Sequence, residues 1–166
     1  MSNPITLDWH EVTQLSLDLA DKIIEGMRKT GERFDYLIAV PRGGYHPANI
    51  VARRLGLSPT QLLQFCIKTY SDETDRKTGK VETGQTPLPE QIQGKNLLIV
   101  DDVSDSGETL DYITTWLKRH GAKNVRTATL HFKPSQNTTS QAPDFYIAKI
   151  DGWVNYPWEA ITSLKT

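Results

Sequence analysis

Acidic and hydroxyl side chains stand close together in the middle of the chain. Asp101 and Asp102 directly follow an apolar run, and Asp105 precedes the sequence Ser-Gly-Glu-Thr at residues 106–109. Hydroxyls and unpaired backbone N–H groups at a helix start bind phosphate, because the helix dipole also favours an anion there. Carboxylates repel phosphate, so the acidic pair indicates a ligand that also carries hydroxyls or a divalent metal. A sugar phosphate with Mg²⁺ meets both demands.

The flanking elements must present this turn at the edge of a sheet. Residues 97–100 (Leu-Leu-Ile-Val) are a continuous apolar run, which predicts a parallel strand buried on both faces. Leu110, Ile113 and Leu117 recur at helical spacing, and Gly121 marks the end of that helix. Gly107 lets the backbone of the turn approach a ligand closely. The plain alternative is an ordinary strand-to-helix connection with Asp and Ser as caps.

A second turn of the same kind occurs earlier in the chain. Residues 34–40 predict a buried strand, residues 41–44 (Pro-Arg-Gly-Gly) follow it, and residues 48–55 place apolar side chains at helical spacing. Two glycine turns at one sheet edge would form a crevice with two anion sites. Taken alone, this turn could equally be a plain loop with a solvent-facing Arg42.

The other segments predict an α/β order of elements. Asp8 and Glu11 match a capping box and predict a first helix that ends at residues 30–31 and has a structural role. Residues 61–70 predict a third strand. The polar residues 71–94 that follow form a long loop, with a possible hairpin tip at residues 78–80. Such loops often close over a substrate and exclude water, although a solvated loop without contacts is an equal alternative.

The last third of the chain adds a lysine and several aromatic side chains. Residues 125–132 predict a strand that ends at Lys133, and ligands of α/β sheets bind outside such strand ends. Residues 145–150 predict a final strand, and the aromatic-rich residues 151–158 follow. These aromatics either cover the end of the core or provide a flat surface on which a heteroaromatic base stacks.

Composition narrows the class of protein. The chain has 166 residues, of which 37% are hydrophobic and 23% charged, as expected for one soluble globular domain. The net charge of −1 argues against a non-specific nucleic-acid binder. No apolar run has the length of a membrane span, and the start lacks a signal-peptide pattern. Cys66 is the single cysteine, so no internal disulfide is possible and a cytoplasmic location is the default.

The stretch at residues 96–110, with its Asp-Asp-x-x-Asp-Ser-Gly-x-Thr pattern, resembles the phosphoribosyl pyrophosphate (PRPP) signature of the type I phosphoribosyltransferases. The resemblance implies an α/β fold, with a Rossmann-like, mostly parallel central sheet flanked by helices and a small C-terminal hood. It also implies a single domain over residues 1–166, with a flexible lid at 71–94 and a base-binding hood at 133–166. The PRPP loop of this family often contains a cis peptide, which here would be Pro41–Arg42.

The ends of the last two strands resemble the 6-oxopurine branch of this family, in particular the xanthine-guanine enzymes. The resemblance implies Mg²⁺ at Asp102, a catalytic acid or base at Asp105, and a purine site formed by Asp105, Lys133, Trp153 and Val154. The residues implied to bind PRPP are Arg42, Gly43, Arg76, Asp101, Asp102, Val103, Ser104, Asp105, Ser106, Gly107, Glu108 and Thr109. Lys77 and Lys80 are rivals to Arg76 as the lid contact.

The predicted reaction joins hypoxanthine, guanine or xanthine to PRPP in purine salvage, and the sequence does not rank these bases. Asn155 stands where the xanthine-guanine enzymes have an acid. Relatives are usually dimers or tetramers, so a homo-oligomer is expected. Alternatives are a PRPP- or nucleotide-sensing regulator of the same fold and an enzyme for adenine, orotate or uracil. A phospho-receiver domain is disfavoured because its acidic pair would lie near the N-terminus, and no Gly-x-x-x-x-Gly-Lys-Ser/Thr motif for ATP is present.

Overall fold

A parallel five-stranded sheet forms the centre of the computed structural model, which describes residues 4–69 and 81–161. The strands of the described residues are β1 (Ile5–Thr6), β2 (Tyr36–Ala39), β3 (Leu62–Gln64), β4 (Ile67–Thr69), β5 (Val81–Thr83), β6 (Asn96–Ser104), β7 (Asn124–Phe132), β8 (Phe145–Lys149) and β9 (Val154–Asn155). In the central sheet they lie in the order β3-β2-β6-β7-β8.

Helices cover both faces of this sheet. They are α1 (Trp9–Thr30), α2 (Tyr45–Arg54), the single turn α3 (Pro89–Ile92) and α4 (Glu108–Arg119), with 3₁₀ turns at Pro59–Gln61 and Pro157–Ala160. Leu98 and Val100 pack in the cluster that contains residues of α1 and α2, whereas Leu97 and Ile99 pack in the cluster that contains residues of α4. Because successive side chains of a strand face opposite ways, the apolar run is buried on both faces. The predicted α/β fold is confirmed.

The first helix begins and ends where the sequence predicts. The amide of Glu11 donates to Asp8 Oδ1 at 2.8 Å, and the amide of Asp8 donates to Glu11 Oε2 at 2.7 Å. This reciprocal capping box satisfies two amides that the helix itself leaves unpaired. Gly31 ends the helix in the left-handed conformation, with φ of 73°.

Two predicted elements differ from the structure. The predicted strand at 61–70 is divided: β3 belongs to the central sheet, but β4 pairs antiparallel with β5 in a separate ribbon. The chain leaves the central sheet at Cys66, whose amide donates to the carbonyl of Gln85 and whose carbonyl accepts from Gly84. Residues 71–94, predicted as a loop, therefore include β5 and α3.

A short second sheet joins the two ends of the described chain. Strand β1 pairs parallel with β9, so that Ile5 lies opposite Val154 and Thr6 opposite Asn155. The sequence did not predict β1, because two residues are too few to show a strand period. Among the described residues, no helix is both long and apolar enough to cross a membrane.

Candidate active site

The acidic pair lies inside strand β6. The sequence had suggested that it lies in a turn after the strand. Beyond Val100 the strand loses its partner β2 but continues beside β7 as far as Ser104. Each carboxylate accepts a hydrogen bond from the next amide: Asp101 Oδ1 from Asp102 at 2.9 Å, and Asp102 Oδ1 from Val103 at 2.8 Å. The strand backbone therefore sets the directions of both carboxylates.

The environment of this pair disfavours the doubly ionised form. Burial raises the pKa of Asp101 well above its usual range, and the adjacent charge of Asp102 raises it further. Burial also raises the pKa of Asp102. The neighbouring protein displaces much of the water from both carboxyl groups, although each side chain keeps partial contact with solvent. A cation or hydroxyl donors at this position would relieve the mutual repulsion.

The turn after β2 packs directly against Asp102. A Cβ on Gly43 would lie 1.9 Å from Asp102 Oδ2, and a Cβ on Gly44 would lie 2.5 Å from the carbonyl oxygen of Val40. Only glycine allows this approach. The Pro41–Arg42 peptide is cis, as predicted from the resemblance. The exposed Arg42 forms no ion pair with any other described residue.

The second turn opens helix α4 at the same sheet edge. Gly107 precedes the helix with φ of 82°, a conformation that favours glycine. The carbonyl of Gly107 accepts the first helical hydrogen bond from Asp111, and Ser106 Oγ accepts from the amide of Glu108 at 3.3 Å. Thr109 is exposed in the first turn. The turn therefore offers hydroxyls and first-turn amides to an anion.

Residues 137–139 pack against this turn and buttress it, a role that the sequence did not predict. The amide of Thr138 donates to the carbonyl of Ser106 at 2.9 Å. A Cβ on Gly107 would lie 2.7 Å from Thr139 Oγ1 and 3.0 Å from Asn137 Oδ1. The polar loop before β8 carries no periodic pattern, so its sequence gave no sign of this contact.

Asp105, Lys133 and Trp153 meet in one small cavity beside the acidic pair. Lys133 Nζ donates to Asp105 Oδ2 at 2.7 Å and lies 5.2 Å from the centroid of the Trp153 ring. The lysine side chain is 8% exposed, the aspartate side chain 49% and Trp153 60%. An open aromatic face beside a donor and an acid can hold a planar polar ring.

Strand pairing with β1 does not use the carbonyl of Val154. The amide of Ile5 donates to the carbonyl of Trp153 at 2.8 Å, and the amide of Leu7 donates to the carbonyl of Asn155 at 3.0 Å. Because successive carbonyls of a strand point in opposite directions, the carbonyl of Val154 faces away from β1. Val154 lines the cavity with Asp105 and Lys133.

Two polar contacts hold the side chain of Trp153. Its indole Nε1 donates to Asn155 Oδ1 at 3.0 Å, and Asn155 Nδ2 donates to Thr6 Oγ1 at 3.3 Å. Asn155, noted in the sequence as a departure from the xanthine-guanine pattern, therefore orients the aromatic side chain.

The other residues predicted to bind PRPP or metal differ in where the structure places them. Val103 lines the cavity, but Ser104 is buried and its hydroxyl has no hydrogen-bond partner among the described residues. The lid candidates Arg76, Lys77 and Lys80 lie outside the described residues. Over residues 4–69 and 81–161, no three His, Cys, Asp or Glu side chains gather as a metal cluster. Mg²⁺ does not need one, since it is often held by one or two carboxylates together with substrate phosphates.

Comparisons with known proteins identify relatives of this chain. The family model of the phosphoribosyl transferase domain matches residues 7–161. A xanthine-guanine phosphoribosyltransferase of Cereibacter sphaeroides is 28% identical over 92% of this chain and 85% of its own. The structure of a purine phosphoribosyltransferase from Pyrococcus horikoshii is 30% identical, covers 99% of both chains and has a TM-score of 0.78.

A third relative is known from its structure with bound ppGpp. This hypothetical protein from Neisseria gonorrhoeae is 28% identical, with a TM-score of 0.80 over 97% of this chain and 92% of its own. The family model covers nearly the whole chain. The predicted resemblance is confirmed, and the chain belongs to the phosphoribosyltransferase family of transferase enzymes.

Proposed function

We propose that this phosphoribosyltransferase transfers the 5-phosphoribosyl group of PRPP to a 6-oxopurine, giving a nucleoside 5′-monophosphate and pyrophosphate. The observation that carries the proposal is the cavity in which Asp105, Lys133 and Trp153 meet beside the acidic pair. The carbonyl O6 and N7 of a 6-oxopurine are neighbouring acceptors on one edge of the ring. Two adjacent polar side chains that lie 2.7 Å apart match that edge.

Each group in the cavity has a role toward the base. Lys133 donates to O6, and Asp105, near N7, acts as general acid or base: it takes up the proton of the N7–H form of the base as N9 attacks the anomeric carbon and pyrophosphate leaves. The ring lies on Trp153, and the free carbonyl of Val154 accepts from an exocyclic amine. The names of the Cereibacter and Pyrococcus relatives support a purine substrate.

The sugar and its phosphates occupy the sheet edge next to the base. The turn at residues 106–109 holds the 5′-phosphate, and Asp101 and Asp102 accept from ribose hydroxyls. The turn with Arg42 and Gly43 lies against Asp102 and binds the pyrophosphate. Little covalent chemistry falls to the protein, so positioning and electrostatics provide the acceleration. In this proposal Arg76, in the lid, keeps water from the reactive sugar.

The acidic pair also suits Mg²⁺. Both carboxyl pKa values are raised, so that a bound cation relieves an unfavourable ionisation, and Asp102 adjoins the turn that binds the pyrophosphate. Asp102 would hold the metal with Asp101 beside it. When bound, Mg²⁺ supplies positive charge against the pyrophosphate group.

A base panel tests the reaction. The purified chain is incubated with PRPP, Mg²⁺ and one base at a time: hypoxanthine, guanine, xanthine, adenine, orotate or uracil. Product mass and pyrophosphate release are then measured. Turnover of at least one 6-oxopurine, above that of the other three bases, is expected. Turnover of adenine, orotate or uracil alone would overturn the substrate class.

A nucleotide-sensing regulator is the second candidate, supported by the ppGpp-bound relative from Neisseria gonorrhoeae. ppGpp carries guanine and phosphates, the same two chemistries that the proposed base and phosphate sites would recognise. The panel, together with calorimetric binding of PRPP and of ppGpp, separates the two functions: binding of either ligand without turnover of any base favours the regulator.

Assembly and location complete the proposal. Strand β3 is an edge strand of the central sheet, and Tyr45 and Leu88 are exposed beside it. This edge is a candidate surface for the expected dimer or tetramer, and light scattering of the purified chain measures the assembly. A cytoplasmic location, where PRPP and free bases are available, remains part of the proposal.

A further inference from the structure

The hydroxyl of Tyr156 lies between the acidic strand and its neighbour. Tyr156 Oη donates to the carbonyl oxygen of Asp102 at 3.1 Å and lies 2.7 Å from His131 Nδ1 on strand β7. Both side chains are buried, with Tyr156 3% and His131 4% exposed. Neither residue was among the site residues predicted from the sequence.

These contacts fix the direction of the hydrogen bonds. A carbonyl oxygen only accepts, so the tyrosine hydroxyl must donate to Asp102. Its oxygen is then free to accept, and His131 Nδ1 must carry the proton that it donates. The result is a directed chain from His131 through Tyr156 to the backbone of Asp102.

Asp102 needs this support because the sheet does not supply it. Strand β2 pairs with β6 only as far as Val100, whose carbonyl accepts from Val40 at 3.1 Å. Two residues further on, the amide of Asp102 donates to the side chain of Asp101 and its carbonyl accepts from Tyr156. Side chains therefore hold both backbone polar groups of Asp102.

We infer that Tyr156, itself held by His131, is a positioning residue that fixes the backbone of Asp102 and thereby aims the acidic pair at the ribose and metal. The inference rests on the proposed function. Tyr156 comes two residues after Val154, which lines the proposed base cavity. The hydroxyl thus ties the base-binding segment to the PRPP-binding strand and sets the spacing between the two substrates.

Replacement of the hydroxyl alone tests the inference. Tyr156→Phe keeps the ring that stacks on Trp158 at 4.7 Å but leaves the Asp102 carbonyl without its donor. We expect the KM for PRPP to rise about tenfold, as for one lost buried hydrogen bond, while the KM for the base changes little. Calorimetry with PRPP and Mg²⁺ in the absence of base should show the same loss of affinity. Tyr146→Phe, on β8 outside the site, is the matched control and should change neither constant.

Variants of His131 distinguish positioning from packing. His131→Asn keeps an N–H donor near the position of Nδ1 and should bind PRPP nearly as the wild type does. His131→Leu fills the space without a donor and should lose affinity as Tyr156→Phe does. Thermal melting of each variant verifies that it folds. In addition, ¹⁵N spectra of the imidazole should show His131 protonated at Nδ1.

Several outcomes would overturn the inference. A folded Tyr156→Phe with wild-type PRPP affinity would overturn it, as would equal increases in both KM values, a failure of His131→Asn to retain binding, or an Nε2 tautomer. An active wild type with an unaffected Tyr156→Phe refutes the inference alone. A wild type that binds PRPP but transfers it to no base refutes the proposed function alone, and one that binds no PRPP refutes both.

Discussion

Asp105 and Lys133 neutralise one another at 2.7 Å, and each also has a proposed task toward the base. An isolated lysine in this position, buried to 8% exposure, would carry an unpaired charge, which is strongly unfavourable. The ion pair therefore gives the buried lysine a partner and directs it into the cavity where the proposal places the O6 and N7 edge of a purine.

The role of Asp105 predicts a defined kinetic change. Asp105→Asn keeps the shape and a hydrogen-bonding group but removes the acid or base, so turnover should fall about a hundredfold or more. The KM for PRPP should stay close to that of the wild type. Asp18→Asn, an exposed position on α1, controls for the loss of a negative charge. Steady-state kinetics measure both constants, and unchanged turnover would remove Asp105 from the chemistry.

The buried His131 predicts a pH dependence of stability. Burial lowers its pKa from 6.5 to about 4. Between these two pH values the histidine is protonated in the unfolded chain but neutral in the folded one. The free energy of unfolding should therefore fall between pH 6.5 and about 4, by about 3 kcal/mol from this group. The raised pKa values of Asp101 and Asp102 act in the opposite direction, because the folded state binds their protons more tightly.

Comparison of the wild type with His131→Asn isolates the contribution of the histidine to the pH dependence of stability. His131→Asn has no titrating group at this position but keeps both carboxylates. Denaturant unfolding of both proteins at several pH values should show a steeper loss of stability for the wild type towards acid. Parallel curves would mean that His131 does not titrate as its burial indicates.

At the scale of elements, the candidate site is formed by the carboxyl ends of strands and by the turns that follow them. The apolar run of β6, the capping box of α1 and the glycine turns are local patterns, and the sequence predicted all of them. Contacts between distant segments were not predictable: Tyr156 meets Asp102 across 54 positions of sequence, and Thr138 meets Ser106 across 32. No periodicity within either segment signals its partner, because the contact exists only once the sheet has brought the segments together.

The contacts of residues 137–139 with the turn proposed to bind phosphate predict unequal effects for two glycines. Gly107 and Gly31 both have positive φ, 82° and 73°, and alanine there is strained by about 1–2 kcal/mol. A Cβ at Gly107 would also press on Thr139 and Asn137, whereas nothing lies within 4 Å of one at Gly31. Both alanine variants should lose stability, but only Gly107→Ala should raise the KM for PRPP. Thermal melting measures the stability and steady-state kinetics the KM for PRPP. An equal KM for PRPP in both variants would mean that residues 137–139 do not fix the turn.

At the scale of the whole molecule, the site lies where the carboxyl ends of β2, β6 and β7 meet. Ligands of parallel sheets bind outside these ends, so the general location followed from the order of strands and helices. The contribution of the N-terminus did not follow. Residues 5–7 hydrogen-bond to the segment that carries Trp153 and Val154, yet the sequence predicted no element there. The first and last described strands thus pair with each other beside the proposed base cavity.

The closure of the two ends predicts a selective effect on base binding. Leu7→Pro removes the amide that donates to the carbonyl of Asn155 at 3.0 Å, whereas Leu7→Ala keeps that amide and loses only side-chain packing. Both variants should melt at a lower temperature than the wild type. Only Leu7→Pro should raise the KM for the base, by about threefold to tenfold for one lost hydrogen bond, with the KM for PRPP unchanged.

Two substrates and two variants make this measurement decisive. If β1 merely packs on the core, Leu7→Ala and Leu7→Pro should alter both KM values in proportion to their loss of stability. If β1 aligns β9 instead, only the KM for the base should rise in Leu7→Pro. The turns proposed to bind PRPP follow β2 and β6, and among the described hydrogen bonds none joins them to residues 5–7. Asn155 also orients the indole of Trp153. The change in tryptophan fluorescence on addition of base should therefore differ from that of the wild type in Leu7→Pro but not in Leu7→Ala.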